Sequence, residues 1–358
     1  NTSVTYNHLT QGTYRFNLRA LGVDGKLSES PVILTIIIQK PIWEEGWFYV
    51  ISIILLALLI YLFIKWRLHW LMVEKSILEE KVLERTAEIQ CQKNEIELQR
   101  DLIEKKNANI TSSILYASQI QNAVLPPAEL IQKLLPDSFI LNLPKDIVSG
   151  DFFWLAEKNN KVIFTVADCT GHGVPGSFMS VLGITLINEI VNILGMTRSV
   201  DIVSALRDRL IQSLQQDRKK TATSDGLDIA LCVMDPEAQK IQFTGGMNDL
   251  VYFRNNKMEE MKGDNLSVSV SHENLGDFTM KEFNYRKGDV LYLFSDGYPD
   301  QFGGKNDKKY LRHRFKNTLL EIYKLPMKEQ KQILEKNLRD WMGSAVQTDD
   351  ITVMGVRL

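Results

Sequence analysis

The segment WFYVISIILLALLIYLFI, residues 47–64, constrains the chain before any other feature does. It runs 18 residues without a charge. At helical rise that covers about 27 Å, close to the thickness of a bilayer's hydrocarbon core. Aromatics crowd both ends, with Trp43, Trp47 and Tyr49 before and Tyr61, Trp66 and Trp70 after, as at membrane interfaces. A buried core helix is the alternative; the length, the aromatic belts and the asymmetric flanks weigh against it. Glu44 and Glu45 precede the segment, and Lys65, Arg67 and Lys75 follow it. The positive-inside rule then places the C-terminal side in the cytoplasm, in a single-pass inner-membrane arrangement with a periplasmic N-terminal part.

The remaining chain must therefore be read as separate pieces. In residues 1–42, TYRFNLRALG alternates apolar and polar residues as a half-buried strand does, and VILTIII supplies a second strand. Two strands are not stable alone, so this piece reads as the end of a larger β-sandwich whose other strands lie upstream. Residues 71–125 are polar and helical, without Gly or Pro. Val82, Ile89, Ile96, Ile103 and Ile110 recur every seven residues, the spacing of a left-handed coiled coil. The companion positions Arg85, Gln92, Gln99 and Lys106 are polar, so the expected homodimer is weak, and a solvated single helix is the alternative. Pro126 and Pro127 end the helix.

Residues 136–358 alternate strand-like runs (FILNL, FFWLA, KVIFTVA, LDIALCVMD, KIQFTG, LVYFRN, FTMKEF, DVLYLFS, DITVMGVRL) with four helical stretches. The helices are expected at residues 176–194, 200–216, 308–323 and 327–342. Sheets faced by helix pairs follow from that order. A net charge of −2 excludes a binder of phosphate backbones, so no nucleic acid is expected. Three scattered cysteines, Cys91, Cys169 and Cys232, form neither a disulfide framework nor a zinc site.

Within this region aspartates gather at turns and strand ends. SGDFFW carries Asp151, VADCTGHG carries Asp168, FSDG carries Asp296, and QTDDITV carries Asp349 and Asp350. Singly, each is an ordinary turn residue. Together, acids at one sheet edge would repel unless cations neutralised them, and oxygen-only ligation selects hard divalent ions. Two such ions could activate water against a phosphoryl group.

IQNAVLPP, DIVSGDFFW, VADCTGHGVPGSFMS, GLDIALCVMD, YLFSDGYPDQFGG and QTDDITVMGV, in that order, resemble the motifs of SpoIIE-type phosphatases, within the metal-dependent type 2C protein serine/threonine phosphatases. The resemblance covers residues 114–358. It implies an α+β fold, an αββα sandwich, with two Mn²⁺ or Mg²⁺ ions at one edge. It implies further that Asp151, Asp168, Asp296 and Asp349 ligate metal and that Cys169 adds its backbone carbonyl. Asp151, Asp168 and Asp296 are then the catalytic set. The implied substrate is a phosphoprotein, such as an anti-sigma-factor antagonist.

Several positions depart from the pattern or stay open. Cys169 stands where many relatives have glycine, which adds an oxidisable group beside the metal. Asp249 in GGMNDL replaces the usual Asn or His. Lys145 is a weak counterpart of the phosphate-binding arginine of eukaryotic type 2C enzymes. His172 is either a proton donor or a packed loop residue, and Asp228 either assists a water or caps a turn. Residues 14–49 also resemble the end of the Tyr-rich sandwich that follows periplasmic sensor propellers, which implies a transmembrane receptor with a phosphatase output. A catalytically inactive scaffold that binds a phosphoprotein is the alternative. A sensor histidine kinase is set aside because residues 71–125 contain no histidine.

Overall fold

The computed structural model describes residues 4–214, 225–269 and 276–358. Residues 4–102 and 103–358 form two units. In the first, β1 (Gly12–Leu18) and β2 (Val32–Ile38) pair antiparallel along all seven residues, with Tyr14 opposite Ile36 and Phe16 opposite Leu34. Both strands were expected; no further strand joins them among the described residues. Helix α1 (Gly46–Val124) begins in this unit. An 18-residue window in it reaches a mean hydropathy of 2.7 with none of it buried, so it is long and apolar enough to cross a membrane. The heptad residues Val82, Ile89, Ile96, Ile103 and Ile110 are all exposed along it.

In the second unit α1 ends two residues before Pro126, whose ring disfavours helical backbone in the residue preceding it. Helix α2 (Ala128–Leu134) restarts directly after Pro127. Its Leu134 is buried among core residues, so the packed domain extends N-terminal to residue 136.

Two five-stranded antiparallel sheets follow. They are built from β3 (Ser138–Leu143), β4 (Phe152–Lys158), β5 (Lys161–Cys169), β6 (Leu227–Asp235), β7 (Lys240–Gly246), β8 (Leu250–Arg254), β9 (Lys257–Met261), β10 (Lys281–Asn284), β11 (Val290–Phe294) and, last in the chain, Ile351–Arg357. The first sheet has the order β10-β7-β6-β5-β4. In the second, the last strand lies between β3 and β11, and β8 and β9 complete the order.

Strand alternation creates three apolar layers. Phe153, Leu155, Phe164 and Phe243 of the first sheet meet Tyr252, Leu291, Leu293 and Met354 of the second, a sheet-on-sheet core. The opposite face of the first sheet, with Trp154, Ile163 and Leu231, is covered by α3 (Gly173–Asn188) and α4 (Ser199–Ser213). Phe139, Phe253, Tyr292 and Val353 on the outer face of the second are covered by α6 (Arg312–Ile322) and α7 (Met327–Met342). The one-turn helix α5 (Gly297–Asp300) lies between β11 and α6 in the chain. The result is the expected αββα sandwich. Each fully buried large side chain contributes roughly 1.5–3 kcal/mol to it.

Three details differ from expectation. Lys308 and Lys309 do not open α6; they form β13 (Lys308–Lys309), paired with β12 (Phe302–Gly303), and the last strand is thus β14. The helix cannot start earlier because Leu311 adopts a left-handed φ of 77°. KMEEM forms β9 although its pattern is polar, because it pairs with β8 at a sheet edge. The apolar run of α3 continues into a π-helical turn, Glu189–Ile193, instead of one uninterrupted α-helix. The end of the stretch expected at 200–216 lies outside the described residues.

Candidate metal centre and phosphatase site

Three backbones must approach one another closely to form the site, and glycines permit it. A Cβ on Gly150 would lie 2.5 Å from the Gly171 carbonyl oxygen, and one on Gly176 would lie 2.1 Å from the same atom. A Cβ on Gly297 would lie 1.9 Å from the Asp350 carbonyl oxygen. The loops carrying Asp151, Asp168, Asp296 and Asp350 therefore meet at one end of the two sheets.

Asp168, Asp228, Asp296 and Asp349 line one open cavity of about 220 Å³, together with Cys169, Thr170, Gly171, His172 and Leu227. Register explains part of this: Asp168 and Asp228 stand directly opposite each other on β5 and β6. Like charges in that position repel. Asp151 is buried beside the group, and Ser295 Oγ donates to its Oδ2 at 2.5 Å.

The electrostatics are those of uncompensated acids. Burial, and then the charges of Asp151, Asp296 and Asp349, push Asp168 up to about 10. Burial pushes Asp151 up to about 7, with Asp350 and Asp349 adding to it against the Ser295 hydrogen bond. Asp296 and Asp228 are also raised, by burial first, while Arg312 pulls both down. Acids that resist ionisation this strongly would be relieved by nearby cations.

The donor set fits hard divalent ions, being carboxylates and backbone carbonyls without nitrogen or sulfur ligands. Among the described residues no three His, Cys, Asp or Glu side chains converge as a fully protein-built cage requires. An ion that keeps several waters needs only one or two carboxylates, so the two observations agree.

Asp350 behaves differently from its neighbour. Its Oδ1 accepts Lys145 N–H at 2.7 Å and its Oδ2 accepts Gly150 N–H at 2.7 Å. It pins the loop before Asp151, whereas Asp349 lines the cavity. Lys145 thus contributes its backbone here. His172 sits at the rim with Nδ1 3.0 Å from Asp146 Oδ2, both side chains half exposed. The Cys169 side chain does not offer an oxidisable group to the cavity. It packs in the apolar layer under α3, and burial holds its thiol pKa well above the usual range.

Sequence reasoning missed Ser295, Gln121 and Arg312. Ser295 braces Asp151 and accepts Thr352 N–H at 3.0 Å. Gln121, in the last turn of α1, is buried. Its Nε2 donates to Ser149 O at 2.6 Å and Ser180 Oγ at 2.7 Å, and its Oε1 accepts Ser149 N–H at 3.1 Å. The only hint was a polar residue in IQNAVLPP on the helix face that also carries Leu125.

A family model, Stage II sporulation protein E (SpoIIE), matches residues 158–358. Among solved structures, the SiaA-PP2C domain of Pseudomonas aeruginosa superposes with a TM-score of 0.64 at 28% identity, over 70% of this chain and 98% of that one. The PP2C phosphatase domain of SpoIIE from Bacillus subtilis, with a fragment of its regulatory domain, gives 0.51 at 20% identity, over 62% and 63%. No match to the chain is found among curated proteins. The architecture is that of PP2C-type phosphatases. The chain belongs to the SpoIIE family and is a metal-dependent protein serine/threonine phosphatase.

Proposed function

We propose that the chain is the membrane-anchored output part of a transmembrane sensor, hydrolysing phosphoserine or phosphothreonine on a partner protein. The observation that carries the reading is the gathering of Asp168, Asp228, Asp296 and Asp349 around one cavity, with Asp151 buried behind them. Asp151, Asp168, Asp296, Asp349 and the Cys169 carbonyl would hold two Mn²⁺ or Mg²⁺ ions. When bound, the ions supply charge neutralisation and an acidified water, which phosphoester hydrolysis requires.

The chain's own groups do the positioning. Ser295 holds Asp151 in one rotamer, and Asp350 ties the Gly150 backbone against the site. The product pair is inorganic phosphate and a free hydroxyl amino acid. An anti-sigma-factor antagonist is the proposed substrate, on the motif resemblance. An inactive scaffold is disfavoured, since scaffolding alone gives no reason to keep buried acids in mutual repulsion.

The anchor is the apolar part of α1, with the phosphatase domain cytoplasmic and the β1–β2 end periplasmic. The exposed isoleucine seam supports a parallel homodimer. Gln121 supports regulation through α1, because it joins the end of that helix to the strand entry that carries Asp151.

The test is Mn²⁺- and Mg²⁺-titrated release of phosphate from p-nitrophenyl phosphate and a phosphoserine peptide by the purified 358-residue chain, with Asp296→Asn as control. Turnover that needs metal and Asp296 is expected. A chain that binds metal yet releases no phosphate from either ester is not an enzyme of this kind.

A further inference from the structure

A phosphate dianion entering a cavity lined by acids needs a cation facing its oxygens. Arg312 stands beside the turn that follows Asp296, for reasons of chain path. Asp296 immediately precedes α5, and the chain returns beside that turn: Tyr310 N–H donates to Gln301 O at 2.9 Å and Leu311 N–H to Pro299 O at 2.7 Å. Leu311 then takes its left-handed φ, a strained conformation for a bulky residue, and Arg312 opens α6.

From the other side comes Asp249. Met247 bridges Ile229, next to Asp228, and Asp249 follows two residues later, buried. Its carboxylate accepts Lys262 Nζ at 2.9 Å, Gly263 N–H at 3.0 Å and Arg312 Nη1 at 3.2 Å. Burial opposes its charge, but these partners hold its pKa below the usual value.

The charge count around Asp249 is uneven. Asp249 and Glu260 face Lys262, Lys316 and Arg312, two acids against three cations. Lys262 bridges both acids and Lys316 pairs with Glu260, while Arg312 shares Asp249 with Lys262. Asp249 takes one nitrogen of the guanidinium, the side chain stays 43% exposed, and its field reaches Asp228 and Asp296. Guanidinium carries five donors in a fork that matches phosphate oxygens.

We propose that Arg312, oriented by Asp249, binds the phosphate group of the substrate monoester. The role rests on the phosphatase reading above and adds the anion-binding residue for which the sequence offered only Lys145. Asp249 is a positioning residue: as an acid, where Asn or His is usual, it carries the charge that holds the arginine.

The experiment measures the dissociation constant of inorganic phosphate for the Mn²⁺-loaded full chain by calorimetry, alongside KM and kcat for p-nitrophenyl phosphate. Arg312→Ala is expected to weaken phosphate binding and raise KM by about ten- to a hundredfold, the value of one charged hydrogen-bonding group. Mn²⁺ affinity should not fall, because removing a cation near Asp228 and Asp296 leaves the site more negative. Arg312→Lys should recover only part, because a point charge lacks the fork. Asp249→Asn should weaken phosphate binding less than Arg312→Ala, and adding it to Arg312→Ala should cost nothing more. Should Arg312→Ala unfold, Arg312→Lys and Asp249→Asn carry the test. Phosphate affinity within twofold of wild type in the folded variants overturns the proposal, even if the wild-type chain is an active phosphatase. Arg312-dependent phosphate binding in a chain without turnover would uphold it while the catalytic reading fell.

Discussion

Gly176→Ala puts one methyl group where three backbones already touch. It lies in the first turn of α3, and the new Cβ would sit 2.1 Å from the Gly171 carbonyl oxygen and 2.9 Å from Gly150 Cα. Ordinary contact begins near 3.4 Å, so helix and loop must part by about 1.3 Å. Neither obstacle is a side chain that can swing away. The loop that moves is the one between Cys169 and His172, at the cavity wall. A misplacement of about 1 Å is worth on the order of a hundredfold in rate. Overpacking costs about 1–3 kcal/mol, and replacing glycine by alanine in a helix returns about 1. Net destabilisation is then about 0–2 kcal/mol, a fall in Tm of less than about 8 °C for a domain of this size. The variant should thus remain folded and lose about 99% of kcat/KM on p-nitrophenyl phosphate with saturating Mn²⁺. Gly183→Ala, farther along α3, meets only side-chain atoms, Phe152 ring carbons at 3.0 Å and Leu227 Cδ2 at 3.4 Å, and should lose far less. Gly176→Ala with activity within threefold of wild type would refute the close-packed loop geometry.

Asp168→Asn should abolish metal-dependent turnover, by more than about a hundredfold. It should also raise the Tm of the chelator-treated protein, because it removes one member of the repelling set. In the metal-free wild type, Asp151 and Asp168 hold protons in the folded state that the unfolded chain has released above about pH 4. Their contribution is therefore complete at low pH and is lost as pH rises through about 7 and on towards 10. Thermal melts in EDTA across that range should show the wild-type minus Asp168→Asn difference growing more unfavourable with pH, and Mn²⁺ should remove the trend. Gln121→Ala leaves the buried Ser149 N–H without its partner and the Ser149 carbonyl with Ser180 Oγ alone, at about 1–3 kcal/mol. Hydrogen exchange should quicken at Ser149 and Gly150, and kcat should fall with them. Replacing Ile96 and Ile103 together by alanine should shift the detergent-solubilised chain to monomer in sedimentation; an unchanged dimer would dismiss the heptad seam.

The fold was legible where one physical rule dominated. The strands of the sheet-on-sheet core are apolar on both faces, and they appear as KVIFTVA, LDIALCVMD and DVLYLFS at almost their true bounds. Edge strands carry less signal: β9 is KMEEM, and only its pairing with β8 makes it a strand. The β12–β13 hairpin was hidden by Lys308 and Lys309, which have helical propensity, while the left-handed turn at Leu311 decides against a helix there. At the site, the aspartates could be found because each sits in a turn motif. Their braces could not. Ser295 and Gln121 act through bonds spanning 144 and 28 residues, and no local pattern encodes a partner that distant.

Asp349 and Asp350 show why residue type and spacing reach only part of the way. They are adjacent in sequence and identical in chemistry, yet one accepts a hydrogen bond at each carboxyl oxygen and the other at Oδ1. Both Asp350 oxygens accept backbone N–H groups at 2.7 Å, which ties the buried carboxyl to the Lys145–Gly150 loop. Asp349 accepts one N–H, from Asp350 itself at 2.9 Å, and otherwise faces the cavity and the charges of Asp151, Asp168 and Asp296. The acid bonded at both oxygens holds the loops in place, and its neighbour is left at the cavity wall among the other acids. By the same criterion Asp249, with three donors, belongs to the scaffold that aims Arg312, whereas Asp228 belongs to the cavity. Asp350→Asn should therefore loosen the Lys145–Gly150 loop and cost stability with or without metal. Asp349→Asn should leave the metal-free melting temperature equal or higher. Paired melts in EDTA that move the two variants in the same direction would undo this division of roles.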